Sequence, residues 1–167
     1  MGALVKLVDA ILFLFLTVIA IAAPLIDSQT VLPTSLFPDV LVDLKNWYAH
    51  HYDDYLFTEK PHFFAGIVWL QLLFQWPLAL LNLYAILGSK SWFNTTSLIY
   101  GVSVLTSTVA ILSEMISSGK ASDKLLMLYW PFFGLGVLAT LRGLIPQSGK
   151  TAKTVGDGPE FSRKKKA

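Results

Sequence analysis

The sequence predicts an all-α protein that crosses a membrane with four helices, and two observations carry this prediction. Hydrophobic residues make up 54% of the 167 residues and charged residues only 14%, which is more apolar than a water-soluble domain of this size could bury. Four apolar stretches are also long enough to span a hydrocarbon core of about 30 Å, which takes about 20 helical residues. Because these stretches are few and apolar all round, a membrane barrel of alternating strands is not expected.

The predicted spans lie in one domain of residues 1–146 and cover residues 7–26, 63–87, 92–113 and 125–145. An acidic loop, residues 27–62, joins the first two spans. Its apolar spacing from Val40 to Tyr48 predicts a short amphipathic helix against the membrane or over the bundle. The basic tail, residues 147–167, is rich in Gly, Ser, Thr and Lys and is expected to be disordered.

Lysine and arginine predict the orientation, because these residues concentrate on the cytosolic side of a membrane. The basic tail is placed in the cytosol, four spans bring the amino terminus to the same side, and Lys6 and Lys90 agree. The acidic loop then lies in the lumen, and the sequon at Asn94 is expected to stay unused. Lys164 and Lys165 stand fourth and third from the carboxyl end, as in a dilysine address for retrieval to the endoplasmic reticulum.

A signal peptide is the alternative interpretation of the first span. Lys6 precedes an apolar run, and Ala20 and Ala22 form a step that a signal peptidase accepts. Cleavage there would leave three spans with the same tail orientation. The apolar run continues to Ile26, which is long for a signal peptide and favours a retained helix.

Three polar side chains in the apolar segments are candidates for a binding site. Asp27 follows Pro24 at the end of the first span, where a carboxylate faces either a partner in a cavity or water at the interface. Gln71 and Gln75 are four residues apart, so they share one helix face, and interhelical hydrogen bonding is their alternative role. Pro77 removes a backbone hydrogen bond in the same helix and favours a kink that opens room in the bundle.

Aromatic side chains are frequent in the predicted spans, and some of them are expected to face lipid or to pack in the core. An acid surrounded by aromatic rings has the chemistry to hold a lipophilic amine, since the carboxylate pairs with the nitrogen and the rings contact the rest of the ligand. This hypothesis requires Asp27 to face inward.

Several other kinds of site are not expected. The chain has no cysteine, which excludes thiolate nucleophiles and cysteine-based metal centres. Neither a phosphate-binding loop nor a nucleophile–base pair is present, so no cofactor is expected. A metal site is not predicted at His50, His51, Asp53 and Asp54, because adjacent histidines seldom converge on one ion. No basic face that would bind nucleic acid is visible.

A series of short motifs runs through about the first 115 residues. They are Asp27-x-Gln29-x-Val31-Leu32-Pro33, Trp47-Tyr48-Ala49, Asp54, Glu59, Pro61, Phe74-Gln75-x-Pro77, Ile99-Tyr100 and Ile111-Leu112-Ser113, followed by the polybasic end. In order and spacing this series resembles the sigma-2 receptor branch of the EXPERA-domain family, which also includes the emopamil-binding sterol isomerase.

The resemblance implies a four-helix bundle of the endoplasmic reticulum membrane, often dimeric, with a central pocket open to lipid that accepts sterols and lipophilic amines. In that family the acid matching Asp27 contacts the cationic nitrogen of the ligand, and the acid matching Asp54 lies near the pocket. Family members are tied to cholesterol traffic, including regulation of a Niemann–Pick type C cholesterol transporter. The nuclear envelope and endolysosomal membranes are alternative locations.

Two positions depart from the family pattern. The second pocket acid of the family falls at Gln71, and the histidine of the isomerase branch falls at Ala23. An isomerase needs groups that donate and accept protons, which neither side chain can do, so the resemblance implies binding without catalysis. Beside Gln71, Asp27 is expected to remain an anion, whereas two facing carboxyls would share a proton.

The expected function is therefore non-enzymatic binding of a sterol or lipophilic amine. Asp27 would be the anion for the ligand and Gln71 and Gln75 polar walls, with aromatic lining from Tyr48, Tyr100 and Tyr129. A sterol or lipid isomerase that uses a different acid is one alternative. A scaffold or chaperone for another membrane protein is the other.

Overall fold

The computed structural model describes residues 2–145, and over that range the chain is helical and contains no strand. A π-helical turn at Gln71–Gln75 joins two helices into one long span, and 3-10 turns lie at Asp27–Thr30 and Thr34–Leu36. The α-helices are α1 Gly2–Leu25, α2 Asp39–Tyr52, α3 Tyr55–Glu59, α4 His62–Leu70, α5 Trp76–Leu87, α6 Phe93–Ser118 and α7 Asp123–Leu144.

Four helical segments are long and apolar enough to cross a membrane, namely α1, α4 with α5, α6, and α7. The predicted all-α membrane bundle is thereby confirmed. Two predicted boundaries differ from the helix ends by five residues. The first helix, α1, begins at Gly2 and not at residue 7. The helix α6 continues past residue 113 to Ser118, so Glu114 lies inside the helix instead of at its end. The helix ends at Gly119, whose φ of 64° lies in the left-handed region that glycine adopts without strain. The predicted tail lies outside the described residues.

The start of α1 and the end of α7 lie at the same end of the bundle, called here the terminal end. Arg142 of α7 donates hydrogen bonds to both carboxylate oxygens of Asp9 in α1. It also donates to Asn94 at the start of α6, at 2.9 Å. These contacts join three of the four spans. Both ends of the bundle's chain therefore lie on one side, as an even number of spans requires.

The opposite end of the bundle, called here the loop end, is covered by α2 and α3. The short amphipathic helix predicted in the acidic loop is present as α2. Gln29, just after α1, holds α2 in place, because its side-chain amide donates to the carbonyl of Leu41 at 3.1 Å and to that of Leu25 at 2.7 Å. The acidic loop is therefore a folded cap.

Glycines bring α6 and α7 into backbone contact. A Cβ atom added at Gly136 would lie 2.8 Å from the backbone nitrogen of Leu105, and one added at Gly101 would overlap the backbone of Thr140. Small residues at helix interfaces allow close approach, which drives helix association in lipid, where burial of apolar surface gains little. Ser97 adds a hydrogen bond to the carbonyl of Ala139 at 2.9 Å. These two helices form the tightest pair in the fold.

The second span changes its pitch at the predicted candidate residues. In the π-helical turn, the amide of Trp76 bonds to the carbonyl of Gln71, five residues earlier. Pro77 follows immediately and has no amide hydrogen of its own to donate. Such single π turns widen a helix locally and are frequent at functional sites.

Candidate functional site

A cavity of about 400 Å³ lies inside the bundle between α1, α4, α6 and α7 and reaches the cap formed by α2 and α3. Its volume falls within the range of about 300–1,000 Å³ that is common for small-molecule pockets. Most of its wall is aliphatic or aromatic. The polar side chains that line it are Asp27, Tyr48, Gln71, Gln75, Tyr100, Ser107, Thr108 and Tyr129.

Asp27 and Gln71 face each other across the loop end of the cavity. The Gln71 amide nitrogen donates to Asp27 Oδ2 at 2.7 Å, joining the turn after α1 to the π-helical turn. The Asp27 side chain is half-buried and also lines the cavity. Its carboxylate is therefore within reach of both the amide and a ligand in the cavity.

Gln75 continues this polar wall toward α6. Its amide nitrogen lies 3.0 Å from the hydroxyl oxygens of both Ser103 and Ser107 and donates to them. Gln75 is buried, with 6% of its surface exposed. The interhelical hydrogen bonding that the sequence left as an alternative role is thus present, and the same side chain also lines the cavity.

Asp54 lies behind the cavity wall and holds two of the residues that form it. The hydroxyl groups of Tyr129 and Tyr48 donate to Asp54 Oδ2 at 3.0 and 3.2 Å, while the backbone amide of Leu56 donates to Oδ1 at 3.1 Å. Burial raises the pKa of the Asp54 carboxyl above its usual value, against the opposing effect of these hydrogen bonds. Burial, together with the charge of Asp54, also raises the pKa of Tyr48.

Tyr100 lines the cavity and has a buried hydroxyl without a partner in the part of the chain that the structure describes. The residue is 1% exposed, and its hydroxyl oxygen has no hydrogen-bond partner within residues 2–145. On α6 it precedes Ser107 by seven residues, or about 10 Å of helix, so it lies deeper than the wall formed by Gln75. A buried hydroxyl without a partner costs free energy, which a hydrogen bond from a ligand would recover.

The structure places six of the seven predicted site residues on the cavity wall, and it places Asp54 directly behind Tyr48 and Tyr129. The histidine–aspartate cluster does not converge, since the His51 ring stacks on Trp47 at 5.1 Å while Asp54 is buried. Within the described part of the chain, no group of three or more metal-binding side chains comes together. Lys164 and Lys165 lie outside the described residues.

Neither the pair of Asp9 and Arg142 nor the role of Gln29 was predicted from the sequence. Opposite charges in the first and last spans were a usable signal, because a charge in a membrane segment needs a partner. The hydrogen bonds of Gln29 could not be predicted in this way, because only the fold shows which carbonyl groups lie beside its side chain.

Comparison with known proteins identifies the family. Residues 40–143 match the family model described as EXPERA (EXPanded EBP superfamily). Sigma intracellular receptor 2 of Macaca fascicularis and that of Homo sapiens are each 37% identical over 91 residues, which is 54% of this chain and 52% of each relative. The Xenopus tropicalis protein of the same name is 30% identical over 130 residues, covering 70% of this chain and 76% of the relative.

The matched stretch spans about half the length of the macaque and human proteins. The family model covers more than half of this chain and includes the cap, both glutamines and the tyrosines of the cavity wall. Asp27 lies ahead of that match, and it is held by Gln71, which lies within it. The chain belongs to the EXPERA family, in its sigma-2 receptor branch.

Proposed function

We propose that this protein binds a sterol or a lipophilic amine in the cavity of its helix bundle, without catalysis, in the membrane of the endoplasmic reticulum. The observation that carries the proposal is a carboxylate at one end of a cavity whose wall is otherwise largely apolar and aromatic. An amine would place its charged nitrogen against Asp27 and its apolar body among the side chains of α4, α6 and α7.

The hydrogen bond from Gln71 supports this role for Asp27. A neutral amide satisfies one carboxylate oxygen without cancelling its negative charge, so a cationic ligand still meets an anion. A sterol hydroxyl would use the same two groups, donating to Asp27 and accepting from the amide of Gln71.

Binding without catalysis is supported by the side chains around the cavity. Moving a sterol double bond requires one group that donates a proton and another that accepts one. Among the described residues, Asp27 is the only carboxyl group on the cavity wall, and no histidine lines it. Ala23, where the isomerase branch has a histidine, has no ionisable group and is fully buried.

The experiment is binding of a radiolabelled lipophilic tertiary amine and of a labelled sterol to the purified full-length protein in detergent. Asp27→Asn is expected to lower the affinity for the amine at least about thirtyfold, because it removes the charge partner inside a desolvated site. Affinity for the uncharged sterol should fall much less. Asp43→Asn, the same change at an exposed acid of α2, is the matched control.

Failure of both ligands to bind the wild-type protein would overturn the proposal. A scaffold for another membrane protein would then be the better hypothesis, tested by co-purification that survives Asp27→Asn.

Gln71→Glu tests the expected charge state of Asp27. Amine affinity should depend more strongly on pH in the variant than in the wild type, because the two carboxyls of the variant share a proton.

The location and partners form part of the same proposal. The dilysine residues Lys164 and Lys165 support retrieval to the endoplasmic reticulum, with the terminal end of the bundle in the cytosol. Regulation of a Niemann–Pick type C-like cholesterol transporter and formation of a homodimer follow from the family resemblance. Co-immunoprecipitation from detergent-solubilised membranes is the test for both partners.

A further inference from the structure

A second cavity lies at the terminal end of the bundle, far from Asp27. It has a volume of about 160 Å³, roughly ten times what a single water molecule requires. Asp9, one of its lining residues, precedes Asp27 by 18 residues, or about 27 Å of helix. The cavity lies where α1, the turn between α5 and α6, and α7 meet.

Three of the seven residues that line this second cavity are charged. Arg142 is 6% exposed and donates to both oxygens of Asp9 and to Asn94. These three hydrogen bonds use three of the five N–H groups of a guanidinium, so two remain to be satisfied. Lys90 also lines the cavity, and with Arg142 and Asp9 it gives the lining side chains a net charge of +1.

Lys90 lines the cavity, but its ammonium rests over the ring of Tyr84, which is not a lining residue, so the side chain must turn to reach a ligand there. Its ammonium lies 5.2 Å from the centre of the Tyr84 ring, and no carboxylate within residues 2–145 pairs with it. The long helix α6 begins at Phe93, which lines the same cavity, and among residues 2–145 no side chain caps its first turn. The positive end of the helix dipole therefore adds to the positive charge of the lysine.

We propose that this second cavity binds a phosphate group, supplied by a lipid headgroup or by free phosphate. A phosphate oxygen accepts hydrogen bonds from guanidinium and ammonium groups, and a phosphodiester with one negative charge balances the surplus positive charge. The cavity lies at the boundary of the spans, where phospholipid headgroups lie, and its position between helices is typical of sites for anionic headgroups. A salt bridge between Asp9 and Arg142 that served only to join the helices would require neither the second cavity nor Lys90.

The test is native mass spectrometry of the full-length protein with added dioleoyl-phosphatidylglycerol, compared with competition by inorganic phosphate. We expect one saturable lipid per chain. Lys90→Gln should weaken its binding about tenfold, because a charge-assisted hydrogen bond is lost, and Lys90→Arg should restore it. Lys6→Gln removes the same charge from an exposed residue at the same end and should change the affinity about twofold or less.

Displacement of the lipid by inorganic phosphate would identify a site that also accepts free phosphate, and binding of the lipid alone would identify a headgroup site. Equal losses in Lys6→Gln and Lys90→Gln would overturn the proposal in favour of general surface attraction. So would the absence of any saturable lipid or phosphate.

Asp9→Asn gives an independent readout. This variant leaves the buried Arg142 without its anion, so the variant should be less stable than the wild type in pure neutral detergent. A phosphate in the cavity would supply the missing charge. Phosphatidylglycerol should therefore raise the Tm of Asp9→Asn more than that of the wild type, and an equal or smaller shift would contradict the proposal.

Discussion

Asp54 is fully buried but makes no contact with the cavity. It fixes the hydroxyl groups of Tyr48 and Tyr129, and it begins α3 by accepting a hydrogen bond from the amide of Leu56. A carboxylate that accepts three hydrogen bonds is a strong local constraint, because each donor must keep its direction. Asp54 thus shapes the cavity wall without touching a ligand.

The raised pKa of Asp54 predicts how stability depends on pH. A carboxyl whose pKa is raised in the folded protein binds its proton more tightly there than in the unfolded chain. Above about pH 3.8, the usual pKa of the carboxyl, stability should therefore fall as pH rises toward the folded value. Asp54→Asn should remove this decline, as measured by thermal unfolding in detergent across a pH series.

Asp53→Asn is the control for that series. Asp53 is exposed, and its φ of 51° is a conformation that asparagine also adopts, so this change should leave the pH profile of the wild type intact. A profile for Asp54→Asn that parallels the wild type at every pH would contradict the prediction.

At the level of single residues, the sequence predicted the cavity-lining side chains better than their contacts. Asp27, Gln71 and Gln75 stood out because polar groups are rare in apolar segments, and all three line the cavity. The connection of Asp54 to Tyr129 could not be predicted, because 75 residues separate them and only the fold brings them together. The same is true of the empty hydrogen-bonding position at Tyr100, since a sequence does not show which hydroxyls lack partners.

Among the helices, the pair α6 and α7 depends most on residue size. Gly136→Val should destabilise the protein by about 1–3 kcal/mol, because the added methyl groups would meet the backbone of Leu105. Gly134→Val, two residues earlier in the same helix, is the matched control, because a Cβ there meets no atom within 4 Å. The measurement is the Tm of both variants in detergent, and equal losses of stability would contradict this role for Gly136.

The helices themselves were predictable, whereas their ends and internal distortions were less so. Apolar length alone identifies a span, because a membrane requires about 20 such residues. The end of α6 was predicted too early because Glu114 ends an apolar run in the sequence. A charged residue near the membrane interface ends an apolar run but does not end a helix. The π-helical turn was not predicted either, since Pro77 indicates only a local distortion and not its type.

For the whole molecule, the orientation gives a direct prediction. The chain has no cysteine, so single cysteines placed on its surface can be labelled without background. In cells whose plasma membrane is selectively permeabilised, a membrane-impermeant maleimide should label Ser91→Cys, in the turn at the terminal end. Ser35→Cys, in the cap, should be labelled only after the endoplasmic reticulum is opened. The reverse pattern would contradict the proposed topology.

The two cavities give the molecule two chemically different ends. The cavity near the cap pairs one anion with apolar walls, whereas the cavity at the terminal end carries a surplus of positive charge. A positive surplus at the terminal end agrees with the proposed placement of that end in the cytosol, because lysine and arginine concentrate on that side. The proposed orientation and the proposed phosphate site therefore rest on some of the same residues but are tested by different experiments.

The backbone contact between α6 and α7 also makes the ligand cavity mechanically uneven. Two helices whose backbones touch at Gly101 and Gly136 cannot separate to admit a bulky molecule without losing that contact. They form a stiff wall, and on the other side of the cavity the turn after α1 and the π-helical turn are joined by the hydrogen bond between Gln71 and Asp27. Ligand entry and exit should therefore not pass between α6 and α7, and this pair of helices should limit the shape of the ligand.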